Sequence, residues 1–245
     1  MRTLQDLLTN SNVRAFNEYL QTLSFKGKRR MVGVGLKEPT TLKLYAELSD
    51  TDEVLNGQFL SAKAKEIWSA YSVYHIKNTS SSLAIGCKLN SKMHRKYMHM
   101  KLTPAAPIPQ HFVQMRLLTY LGITVTDLMK GISYEFGEDG DLLKSYYYLD
   151  TPDDISKFLA SKRLAVSDSL VDHIELYFTS TDSKYNIIFK DANPDALRKL
   201  LTPAEERSVN AVLHVIPQPL LYVGRTKGDT TIYFSYTGVT SPLFD

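Results

Sequence analysis

The sequence holds one cysteine and one tryptophan among 245 residues. A lone Cys87 rules out an internal disulfide and fits a reducing compartment, so the cytoplasm is the expected location. No apolar run approaches the ~20 residues of a membrane-spanning helix. The opening MRTLQDLLTN lacks a basic segment followed by an apolar one, so no secretory leader is expected. Neither sign of charge dominates, with 29 Lys and Arg against 26 Asp and Glu and a net charge of +3. A nucleic-acid binder calls for a pI above ~9 and a clustered basic face. DDxxD, Walker A, GxGxxG, HExxH and CxxC patterns are all missing, which removes the nucleotide-hydrolase, dinucleotide-oxidoreductase and zinc readings. Asp153-Asp154 has no acidic partner at the spacing of a metal motif. The sequence therefore requires no cofactor and offers no metal ligands, and it leaves a dependence on Mg²⁺ open.

What is abundant is tyrosine, with 15 Tyr beside 10 Phe. Tyrosine in that quantity favours pleated strands. Five segments read as two strands joined by a polar turn: 31–49, 83–102, 131–150, 173–190 and 219–238. Their midpoints carry turn residues, namely Glu38-Pro39, Asn90-Ser91, Asp139-Gly140, Asp182-Ser183 and Gly228-Asp229. Asp139-Gly140 is the strongest signal, because both centres of a type I′ turn need a positive φ. Helical stretches lie between the hairpins. They run over Leu4–Leu23, behind Asp52, over Pro107–Tyr120, and after the starts at Thr151-Pro152, Asn193-Pro194 and Thr202-Pro203. The order, helix then hairpin, recurs five times at about 40–50 residues. An array of hairpins must hide its edges, and ten strands suffice to close a barrel around a ligand. The expected fold is α+β: a closed antiparallel ten-stranded β-barrel of five hairpins surrounded by α-helices. It forms one domain over 1–245, with no linker.

Strand residues alternate between the lumen and the helix-covered outside. Leu42, Leu44, Ala46 and Leu48 oppose Lys43, Tyr45 and Glu47. Met98, Met100 and Leu102 oppose Tyr97, His99 and Lys101. Lys144, Tyr146 and Tyr148 share a face, as do Lys184, Asn186 and Ile188, and Tyr233 shares one with Ser235. The second strands of several hairpins thus set a cation and a tyrosine two residues apart. Converging lysines need an anion, which suits a diphosphate, and tyrosine faces attract a carbocation. On a single antiparallel sheet such a pair would simply face water; its recurrence is the informative feature.

Repeated helix–hairpin units with Lys43-Leu44-Tyr45, His99-Met100-Lys101, Lys144-Ser145-Tyr146-Tyr147-Tyr148 and Thr231-Ile232-Tyr233 on second strands resemble the aromatic prenyltransferases of the prenyltransferase barrel, or ABBA fold. The resemblance covers nearly the whole chain as architecture and only short stretches as sequence. It implies transfer of an allylic isoprenyl group from its diphosphate, dimethylallyl or geranyl, to an electron-rich aromatic acceptor: an indole, a phenol or a peptide side chain. It implies Lys43, Lys101 and Lys144 as diphosphate ligands, with Lys184 and Arg225 as further cations. Tyr45, Tyr97, Tyr146, Tyr148 and Tyr233 become the shield around the cation. Glu47, Glu175 and His99 are candidates for removing the acceptor proton. The chain is shorter than the usual family member, and the family's N-terminal arginine has only Arg29 and Arg30 as candidates. Neither nucleic acid nor membrane is an expected partner. A reading of another class is a non-catalytic protein whose Tyr- and Lys-rich strand faces bind RNA, a partner chain or a hydrophobic ligand.

Overall fold

A computed structural model describes residues 6–7, 9–22, 30–37, 40–48, 54, 57–74, 83–90, 92–103, 106, 129–138, 140–179, 183–190, 194–215, 220–226 and 229–236. The first two hairpins are β1 (Arg30–Gly35) with β2 (Thr41–Leu48), and β3 (Leu83–Leu89) with β4 (His94–Lys101). The third is β5 (Met129–Gly137) with β6 (Leu142–Leu149). The last two are β7 (Val171–Phe178) with β8 (Ser183–Phe189), and β9 (Leu220–Thr226) with β10 (Asp229–Tyr236). Every neighbouring pair is antiparallel, and β1 pairs with both β2 and β10, so the ten strands close into a barrel without an edge. This is the barrel expected from the five hairpin segments.

Outer-facing residues form the core between barrel and helices. Leu42, Leu44, Ala46, Leu48, Ile85, Met98, Met100, Ile132, Ile174 and Ile187 are all buried. Tyr147 and Ser145 also point outward and are fully buried, so this less apolar face of β6 is still covered. Five described helices lie around the barrel: α1 (Ser11–Thr22), α2 (Ala62–Tyr71), α3 (Pro152–Ser161), α4 (Pro194–Arg198) and α5 (Pro203–Val215). In α3, Thr151 caps the helix by accepting from Asp154 N, Pro152 occupies the first turn, and Ile155, Phe158 and Leu159 are buried. Phe158 meets Tyr185 of β8 edge-on at 5.1 Å. Each such buried apolar side chain contributes about 1.5–3 kcal/mol.

The structure departs from the expected elements in two places. The helix expected over Leu4–Leu23 is interrupted, because Asn10 accepts from Asn12 N at 2.9 Å and starts α1 afresh. In the third hairpin turn Gly140 is not a central residue. Gly140 N donates to the Gly137 carbonyl at 3.1 Å, which puts Gly140 at the fourth turn position with φ at 94°. The expected helix over Pro107–Tyr120, the Asp52 helix start, Glu38-Pro39 and the side chains of Arg29 and Arg30 lie outside the described residues.

Inside the barrel, rings cross the wall where a neighbouring strand carries glycine. The Tyr97 hydroxyl passes over Gly86 and donates to the Leu44 carbonyl at 2.6 Å. A Cβ on Gly86 would run into both the phenol and that carbonyl. Gly86→Ala is therefore expected to destabilise the protein by about 1–3 kcal/mol, or more where the backbone must shift. Urea unfolding checks this, and a variant as stable as the parent would contradict the crossing.

Candidate active site in the barrel lumen

The inner faces enclose a cavity of about 230 Å³. Lys43, Lys101, Lys144 and Lys184 line it, as do Tyr45, Tyr97, Tyr146, Tyr148 and Tyr233. Glu47, Glu175 and His99 line it too. Arg225 does not, and this corrects its expected role as a further cation for the diphosphate. Gly224 takes the inward position on β9, so Arg225 points out toward α5. There its guanidinium donates to the Leu200 carbonyl and lies 3.4 Å from Glu205. It fastens a helix to the barrel.

The lumen also holds residues that the Lys-x-Tyr pattern does not mark. They are Lys88 on β3, Ser133 and Glu135 on β5, and His173 and Tyr177 on β7. All sit on first strands of hairpins, whereas the Lys-x-Tyr pattern marks second strands. Their signal was the same alternation: Ile132, Tyr134 and Phe136 outside Ser133 and Glu135.

The lysines are not spread evenly. Lys43, Lys88, Lys144 and Lys184 all lie within three residues of a hairpin turn, so four ammonium groups gather at the turn end of the barrel. Lys101 closes β4 at the opposite end, alongside Glu47, Tyr148 and His173. Glu135 is the carboxylate set among the turn-end cations. It pairs with Lys144 and stands 3.9 Å from Arg95. Burial works against its charge, but the ammonium groups of Lys144, Lys88 and Lys43 outweigh burial and hold its carboxyl low. Lys43 donates to Thr231 Oγ1 at 3.1 Å and to the Tyr233 hydroxyl at 3.2 Å. Burial, with repulsion from Lys88, pushes the Lys43 ammonium down to about 8. Burial and Lys88 also lower Lys144, against the pull of Glu135. Among the described residues Lys88 has no carboxylate within ion-pair distance, so the cluster carries more positive charge than Glu135 offsets.

Two groups of rings stand between the ends. Tyr45 lies 4.7 Å from Tyr97 and 6.1 Å from Tyr233, and Tyr146 stacks on Tyr177 at 5.1 Å. Their faces already receive cations: Lys43 Nζ sits 5.4 Å from the Tyr233 ring centre, and Lys144 Nζ 5.4 Å from that of Tyr177. Burial raises the hydroxyl pKa of Tyr146, Tyr177 and Tyr233, so these remain neutral phenols. His99 meets Tyr146 edge-on at 4.6 Å, and burial pushes its imidazole down to about 4, which keeps it uncharged at neutral pH. Burial raises the Glu175 carboxyl, but the neighbouring His173 imidazole and the hydrogen bond from Asn186 outweigh it and hold Glu175 ionised.

A closed ten-stranded antiparallel barrel of hairpins with its helices outside is the prenyltransferase-barrel architecture. Solved structures similar to the chain include the following two. One is the crystal structure of AnaPT from Neosartorya fischeri, with a TM-score of 0.48 and 11% identity, covering 86% of this chain and 78% of that one. The other is 6-dimethylallyl tryptophan synthase, with a TM-score of 0.49 and 14% identity, covering 85% and 80%. No family model matches the sequence, and no curated protein matches it. Among the described residues no three His, Cys, Asp or Glu side chains gather as a metal site. No described helix is long and apolar enough to cross a membrane.

Proposed function

We propose that the chain is an aromatic prenyltransferase. The observation that carries this reading is the polarity of the lumen: a turn end where four lysines outnumber Glu135, tyrosine walls in the middle, and Glu47 and Glu175 with Lys101 at the far end. The allylic diphosphate lies with its anion among Lys43, Lys88, Lys144 and Lys184. As its C–O bond breaks, these ammonium groups stabilise the charge that develops on the leaving diphosphate. The allylic cation is held against the faces of Tyr45, Tyr146, Tyr177 and Tyr233. An aromatic acceptor at the far end attacks it, a C–C bond forms, and Glu175 or Glu47 takes the proton that restores the ring. The strand wall keeps out water that would otherwise capture the cation. Lysines supply the counter-charge in this scheme, so magnesium is an added variable in the assay and not a required reagent.

The Tyr- and Lys-rich faces point into the lumen, away from an open sheet surface on which RNA or a partner chain would lie. The test incubates the protein with dimethylallyl or geranyl diphosphate and a panel of indoles, phenols and peptides, with and without Mg²⁺. Mass analysis is expected to find a prenylated acceptor in step with released diphosphate. A protein that binds the diphosphate tightly and yields no product with any acceptor would instead be a carrier.

A further inference from the structure

At the acid-bearing end of the lumen, a bulge sets a short polar chain across the wall. The register of β7 against β8 shifts between Val171 and His173, leaving Asp172 as the extra residue. Val171 is buried outside the barrel although its parity matches that of His173 inside. Bulges of this kind re-aim side chains beside sites. Here the bulge brings His173 Nδ1 to 2.7 Å from Asp172 Oδ2, while Nε2 faces Glu175 Oε1 at 3.8 Å. The Asp172 side chain is 56% exposed and that of His173 21%. Glu175 lines the cavity, and its other oxygen accepts from Asn186 Nδ2 at 2.8 Å. The chain Glu175–His173–Asp172 thus runs from lumen to solvent with one imidazole between two carboxylates. Tyr148 of β6 packs on the imidazole at 4.8 Å, fixing the ring, and β8 sets Ile188 opposite.

We propose that Asp172 and His173 form the exit for the proton released in the lumen. The inference rests on the transferase reading. There the allylic carbon leaves the diphosphate oxygen with the oxygen keeping the electron pair, and the acceptor carbon supplies the pair for the new bond. The proton displaced from that carbon goes to the Glu175 carboxylate. Once Glu175 Oε1 and His173 Nε2 close from 3.8 Å to hydrogen-bond distance, Nε2 accepts the proton, Nδ1 gives up its own to Asp172, and Asp172 releases that proton to water. Glu175 returns to its charged form, and no oxidant or co-reactant is consumed. His173 is a positioning and relay residue that does not touch the acceptor.

The ionisable groups facing His173 are Asp172 and Glu175 on its own strand and Tyr148 on β6. Burial lowers its imidazole pKa, and the two carboxylates overcome that and raise it. The test begins with ¹⁵N-imidazole NMR of the intact protein, the His173 signal being assigned by its loss in His173→Asn. Glu175→Gln and Asp172→Asn are each expected to move the His173 titration to lower pH. A titration that neither variant moves overturns the relay, whether or not the protein is an active transferase. The second arm is kinetic. His173→Asn is expected to slow prenyl transfer ~10²-fold, flatten the pH profile and recover with imidazole added to the buffer. A fold defect alone would not produce that recovery. An active wild type whose rate and pH profile survive His173→Asn also overturns the relay. A wild type that transfers no prenyl group while the titrations stay coupled overturns the transferase reading and leaves the proton chain standing.

Discussion

Lys144→Ala is expected to abolish prenyl transfer and also to cost the protein about 3–5 kcal/mol of stability, the usual result of removing one member of a buried ion pair. Lys144 and Glu135 are both buried and hydrogen-bonded to one another. Without the ammonium, Glu135 keeps Arg95 only at 3.9 Å, and its Oε2 has no hydrogen-bond partner. Loss of activity in this variant alone would therefore not separate chemistry from folding. The double variant Lys144→Met with Glu135→Leu does, because replacing a buried pair by apolar side chains of similar volume is close to neutral for stability. It should unfold in urea near the parent and still fail to transfer. Glu135→Gln tests the opposite charge. It leaves Lys144 beside Lys88 and Lys184 without compensation, so inorganic diphosphate should stabilise this variant more than the parent. A double variant that transfers at the parental rate would remove the lysine cluster from the mechanism.

The barrel was legible because helices cover its outside. A strand with one wet face shows polar residues toward solvent, whereas here Leu42, Leu44 and Ala46 are buried under helices while Lys43 and Tyr45 face a chamber. Period two then fixes both faces at once. It failed where the period itself breaks. The β7 bulge puts Val171 and His173 on opposite sides despite equal parity, so Asp172 and His173 could not be assigned from spacing. Arg225 departs from its expected role for another reason: Gly224, the inward residue, has no side chain to declare the face. Glu135 and Lys88 follow the same alternation in GISYEFG and LAIGCKL, but these strands carry small or acidic lumen residues and no lysine two places from a tyrosine. Tyr97 shows a limit of pattern reading, since its ring lines the lumen while its hydroxyl is committed to the Leu44 carbonyl. Only the fold brings that carbonyl to it.

Diphosphate affinity is expected to fall about tenfold per pH unit above pH 8, and about a hundredfold by pH 10, through Lys43 alone. The free protein holds the Lys43 ammonium at about 8 because burial and Lys88 disfavour its charge. A bound diphosphate favours that charge, so binding above pH 8 must take up a proton, and each unit of alkalinity opposes it. The unliganded fold responds in the reverse sense. Between about 8 and the ordinary lysine value of 10.5, the unfolded chain binds the proton that the folded chain has lost, so stability rises with pH across that window. The full shift corresponds to on the order of 3 kcal/mol. Calorimetric titration with inorganic diphosphate from pH 7 to 10, in two buffers of different ionisation enthalpy, reads the affinity and the proton uptake together. Lys43→Met should bind more weakly at pH 7 and lose part of the pH slope. An affinity that stays flat to pH 10 would mean that the anion does not sit against Lys43, and the cationic end of the lumen would then need another occupant.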